Sequence, residues 1–64
     1  MSKQLYVVMA VEIASDNVSP VAALPGETQA QRLADRLDQQ HLNKRFHHVE
    51  AVKIFNSAEE AADV

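Results

Sequence analysis

The run from Leu5 to Ala14 (LYVVMAVEIA) holds no glycine, no proline and a single charge, Glu12. Its β-branched and long apolar residues make it a strand. Alternation places Leu5, Val7, Met9, Val11 and Ile13 on one face and Tyr6, Val8, Ala10, Glu12 and Ala14 on the other. The first face is wholly apolar, and the second is apolar through its first half. An antiparallel strand with one side in water alternates more cleanly than this. Both sides of the strand therefore need cover, and a chain of 64 residues has little to cover them with.

A domain of this size buries only about 60% of the surface that its unfolded chain exposes. It usually needs a disulfide, a metal or a partner chain as a staple. The chain has no cysteine, which removes disulfides, thiolate metal sites and thiol nucleophiles and agrees with a reducing compartment. Oligomerisation is the expected staple, in the form of a homodimer. The net charge of −3 argues against general nucleic-acid binding, because neutralising phosphates needs clustered Lys and Arg. The longest apolar run, Leu5 to Val11, is far short of the roughly 20 residues that span a bilayer. No signal-peptide core with a cleavage site follows Met1-Ser2-Lys3-Gln4. The reading is a mature cytoplasmic protein without membrane association.

Ser15-Asp16-Asn17 is a turn, since Asp and Asn side chains bond their own backbone and tolerate left-handed conformations. Val18 to Leu24 returns as a second strand. Pro20 within it lacks an N–H, which assigns the strand to a sheet edge, and Pro25-Gly26 ends it. The spacing then predicts one long helix from Thr28 to about His41, opened by a capping box at Thr28-Gln29-Ala30-Gln31. Ala30, Leu33, Ala34, Leu37 and His41 fall in one arc of that helix. Gln29, Arg32, Arg36 and Gln40 form a flank of it. Phe46 to Phe55 is a third strand of imperfect alternation: His48, Glu50, Val52 and Ile54 share one face and Val49 and Ala51 the other. Either a bulge near Glu50-Ala51 reconciles them or both faces are partly covered. Ser57-Ala58-Glu59-Glu60 is a second capping box, opening a terminal helical turn too short to be stable alone.

The order β-β-α-β-α implies an α+β fold in one domain spanning residues 1–64. If the helix carries a right-handed crossover between the second and third strands, the first strand fits between them, antiparallel to both. The expected sheet order is 2-1-3, with the helix packed on one face.

Charge is unevenly spread. Five of the six basic residues and all three histidines lie between Thr28 and Lys53, and six of the nine acidic residues lie outside that segment. Arg32 and Arg36, one turn apart, present two guanidinium forks of the kind that capture phosphate or carboxylate. With Lys44 and His48 they form a candidate anion site; the competing reading is a solvated flank in which Arg32 pairs with Asp35. His47 and His48 are adjacent in a strand and point to opposite faces, so no metal site is assigned, and no cofactor is expected. The serines form no nucleophile elbow, and the single glycine cannot build a phosphate loop. Glu59-Glu60 sits at a helix start, where the macrodipole favours acidic residues for structural reasons. An enzyme is not expected.

The second face of the first strand is the stronger lead. Tyr6, Val8 and Ala10, with Val21 and Ala23 or with Val49 and Ala51, are expected to form an apolar patch opposite the helix. Such a patch marks a dimer or partner interface, unless the terminal helix of the same chain covers it. The Tyr-Val-Val strand, the helix opened by Thr-Gln-Ala-Gln and the strand ending in Ile-Phe together resemble small phage-encoded accessory proteins. The resemblance lies in architecture and maps no functional residue. It implies stoichiometric binding, either to a host defence protein or to an anionic nucleotide-derived signal.

Overall fold

A computed structural model describes residues 3–62 of the chain. Five elements follow in order: β1 (Lys3–Glu12), β2 (Val18–Leu24), α1 (Glu27–Gln40), β3 (Arg45–Ile54) and α2 (Ala58–Ala62). The strands form one antiparallel sheet in the order β2-β1-β3. The most apolar strand is thus central and the proline-bearing strand lies at an edge. β2 and β3 run parallel to each other, joined over one face of the sheet by α1.

β1 ends at Glu12 because the chain then turns within six residues. The Glu12 N–H bonds the Asn17 carbonyl at 2.9 Å, and the Asp16 N–H bonds the Glu12 carbonyl at 2.8 Å. Asp16 adopts a left-handed φ of 59°, which aspartate accepts more readily than most residues. A second such residue, Asn43 at 66°, turns the chain from α1 into β3.

The bulge falls elsewhere than the alternation of β3 suggests. The β1–β3 register runs unbroken from Lys3↔Ile54 to Glu12↔Arg45. The shift is in β2, where Val8 pairs with Ala22 but Met9 with Pro20, leaving Val21 as the extra residue. A proline cannot donate to the ladder, and an edge strand beside it accommodates an inserted residue at little cost. β3 needs no bulge because its apolar Val52 and Ile54 simply remain exposed.

α1 begins one residue earlier than its expected capping box. Gly26 is the N-cap, extended at φ −110° and ψ 131°, and its carbonyl accepts the Ala30 N–H at 3.0 Å. Thr28 lies inside the first turn, so its hydroxyl does not cap the helix, and no side chain does. Gly26→Ser adds the missing oxygen at a φ open to any L-residue, and a Cβ there meets only Gln29, at 3.6 Å. The expected gain is about 0.5–1 kcal/mol from the cap and the stiffer unfolded chain, read as a rise in Tm of about 3–6 °C. The terminal helix keeps its box: the Glu60 N–H bonds Ser57 Oγ at 3.2 Å, and Glu60 Oε2 reaches back to the Asn56 N–H at 3.2 Å.

The core is thin and made of small residues. Val8, Ala30 and Ala34 are fully buried, ringed by Tyr6, Leu24, Leu33, Leu37 and Val49. Two alanines on one helix turn let α1 settle close to the sheet. The whole is a slab with Cα extents of 42 × 25 × 12 Å, one helix layer on one sheet layer. α2 packs against none of the other elements. Among the described residues no helix is long and apolar enough to cross a membrane.

Candidate functional site

The buried residues of β1 show which side α1 covers. Val8 is fully buried and Ala10 nearly so, and Tyr6 packs against the same cluster. The set expected to form a free patch opposite the helix is therefore the floor beneath it. This corrects the assignment of Tyr6, Val8 and Ala10 as an interface: Val8 and Ala10 are core, and Tyr6 is half-buried against it. Their cross-strand partners Val49 and Ala51 lie on this side too.

The free face is the other one. Its central row is apolar and lies on β1: Leu5, Val7 and Met9 are half-buried, and Val11 at its end is buried. On one side their pairing partners are Ala23, Pro20 and Val18 of β2; on the other they are Val52, Glu50, His48 and Phe46 of β3. Val18, Phe46, Val52 and Ile54 are each 38–55% exposed. The polar residues on this face of β3, His48 and Glu50, lie on an edge strand and bond each other, Nε2 to Oε1 at 3.0 Å. The result is an apolar centre with a self-satisfied polar margin, the layout of a protein interface. Since α2 docks on nothing, it does not cover this surface.

The candidate anion residues do not converge. Arg32 and Arg36 are exposed on α1, Lys44 is exposed in the loop beyond its C-terminal end, and His48 lies on the opposite face of the sheet. At a rise of about 1.5 Å per residue, Arg32 is some 13 Å from the end of the helix where that loop begins. The depression beside Arg32 is lined by Glu27, Thr28, Gln31 and Asp35, and its two carboxylates oppose an anionic ligand. Asp35 bonds Gln31 Nε2 at 3.1 Å, and it makes no salt bridge to Arg32 among the described residues.

The adjacent histidines diverge as alternation requires. His47 points beneath α1, with its side chain 1% exposed. Asp38 Oδ1 accepts both the His47 backbone N–H at 2.7 Å and the ring Nδ1–H at 2.8 Å. Nδ1 faces a carboxylate oxygen and so carries its proton in either charge state. One carboxylate thereby ties the last turn of α1 to β3. The sequence reading sets Asp38 with Gln31 and Asp35 opposite the apolar arc; at about 100° per residue it lies instead at the border of that arc, next to Ala34, from where it reaches His47. His41 lies near, its ring centroid 6.1 Å from that of His47, yet no group of three potential metal ligands occurs among the described residues. At the other end of the ladder Arg45 pairs with Glu12 at 3.4 Å.

No protein-family model, no curated protein and no solved structure matches this chain.

Proposed function

We propose that this chain is a non-catalytic binding protein that works as a homodimer, with the open sheet faces of two copies stacked back to back, and that it inhibits or modulates a protein partner by stoichiometric contact. The observation that carries the reading is the apolar face on all three strands. A compact 7.1 kDa chain exposes about 4,100 Å² of surface by the scaling of monomeric proteins. This one exposes 4944 Å². The excess of roughly 800 Å² is of the order that each partner contributes to an interface of standard size.

A second copy is the occupant that suits this face. Stacking about a two-fold axis sets like on like, β1 row against β1 row, at the roughly 10 Å spacing of packed sheets. It also supplies the cover that a sheet of this composition lacks. Support for binding over catalysis is that the polar groups brought together in the fold lie in pairs (Asp38 with His47, His48 with Glu50, Glu12 with Arg45), although the buried Arg45 Nε has no partner among the described residues. Sequestering an anionic nucleotide is the weaker reading, because its candidate residues lie on both sides of the sheet.

Sedimentation equilibrium tests the dimer. The expected mass is twice the 7.1 kDa of the chain, falling towards the monomer on dilution. A species that stays monomeric at the highest soluble concentration removes the reading.

A further inference from the structure

The two edges of the sheet differ in how they are guarded. On β2, Pro20 offers no N–H and the bulge at Val21 bends the strand, both of which discourage pairing with another chain. β3 has neither device along its ten residues. In an antiparallel ladder, alternate residues turn their N–H and C=O toward the neighbouring strand and the rest turn them away. The Ile13 N–H bonds the Lys44 carbonyl at 3.1 Å, which directs the even-numbered residues of β3 to β1. The odd-numbered ones point outward. Two of these are satisfied within the chain: the Arg45 N–H bonds the His41 carbonyl at 3.2 Å, and the His47 N–H bonds Asp38 at 2.7 Å. The outward groups of Val49, Ala51 and Lys53 meet no partner among the described residues.

Beside this open stretch, on the helix side, a groove of about 180 Å³ runs between α1 and β3. It is floored by Tyr6, Val49 and Ala51 and walled by Glu27 and Gln31. Its one charged group is the Glu27 carboxylate. An extended segment laid along β3 makes main-chain bonds to Val49, Ala51 and Lys53 and sends alternate side chains toward the groove. A cationic side chain there faces Glu27.

We propose that the β3 edge from Val49 to Lys53 receives an extended segment of a protein partner as a fourth strand, with a lysine or arginine of that segment lying in the groove beside Glu27. This rests on the reading that the chain acts on a protein, and it uses a surface separate from the dimer face.

The probe is an acetylated, amidated hexapeptide of alternating threonine and valine with one central threonine replaced by lysine. Its controls carry glutamate at that position, or N-methyl groups on alternate amides. Amide hydrogen exchange is followed residue by residue. The lysine peptide is expected to slow exchange at Val49, Ala51 and Lys53 at least about tenfold, and both controls to have little effect. Glu27→Gln should weaken the lysine peptide about tenfold. Ala51→Pro should abolish binding while leaving the β1–β3 ladder intact, because the N–H it removes points away from β1. Should that variant fail to fold, the N-methylated peptide makes the same test on the unaltered protein.

Unchanged exchange at the three amides with millimolar lysine peptide overturns the proposal, as does equal protection by the glutamate peptide. Protection that appears without peptide and grows with protein concentration also overturns it, since a second copy then occupies the edge. Dimer mass is measured in parallel. A dimer that persists in Ala51→Pro while peptide binding is lost supports the two surfaces as separate, and loss of the dimer in that variant overturns their separation.

Discussion

Asp38→Ala is expected to lower unfolding stability by about 2–4 kcal/mol, most of what a domain this small possesses. Asp38 Oδ1 is the acceptor for two His47 donors, at 2.7 and 2.8 Å. The imidazole lies under α1 with its side chain 1% exposed, and water entering from the solvent side of Asp38, itself 39% exposed, replaces the lost acceptor only in part. Leaving a buried donor unpaired costs more than the hydrogen bond contributed when made. The same change frees the last turn of α1 from β3, and Leu37 packs in that turn. Asp38→Asn keeps an acceptor oxygen in place and should recover at least half of the loss. Urea denaturation at one fixed protein concentration reads both values; the concentration is held because the proposed self-association would add stability. A loss below about 0.5 kcal/mol in Asp38→Ala, within the usual range of surface substitutions, would show that the contact contributes nothing to the fold.

If the proposed dimer forms, Val7→Lys is expected to convert it to a monomer, weakening self-association by about two orders of magnitude or more. Val7 occupies the middle of the open face, and Glu50 is its cross-strand partner on β3. In the monomer the lysine stem lies along the apolar sheet and its ammonium reaches Glu50, so the fold tolerates the change. In the stacked dimer each copy brings a charge to the centre of the interface, and desolvating charges there costs several kcal/mol. The expected result is a monomer by sedimentation with an unchanged far-ultraviolet spectrum. A Val7→Lys protein that remains dimeric would place the interface elsewhere, the free edge of β3 being the next surface to test. The corresponding change at Val8 informs nothing about assembly, because Val8 is fully buried under α1 and a charge there unfolds the chain.

Much of the architecture was legible in local chemistry. The β-branched run of β1, Pro20 as an edge marker, the Ala30-Leu33-Ala34-Leu37 arc and the Ser57 cap each express a short-range rule, and each holds in the structure. The element order with those markers suffices for the 2-1-3 sheet. The start of α1 moved by one residue because Pro25-Gly26 already breaks the chain and an extended glycine serves as N-cap. The bulge moved from β3 to β2 because exposed apolar residues on β3 need no rearrangement while the sheet face beneath them stays open.

What the sequence by itself determined is the set of elements, their order across the sheet and the excess of apolar surface on its central strand. Which face of that strand the helix covers was decided only in three dimensions. Apolar residues on both sides of β1 leave alternation without a sign. The sign comes from the hairpin register: the Glu12 N–H to Asn17 bond turns the even-numbered residues of β1 toward β2. In a strand of L-residues, the side on which a residue's N–H and C=O point fixes the face on which its side chain stands. A right-handed β2-α1-β3 crossover then places the helix over those same even-numbered side chains. Slipping the hairpin by one residue would have exposed Tyr6, Val8 and Ala10 instead. Packing agrees with the observed choice, since Val8 on the covered face is fully buried with Ala30 and Ala34 of α1, and Tyr6, Leu24 and Val49 pack around them. The bulkier Leu5, Val7 and Met9 are left half-buried on the open face that the proposed second copy would cover.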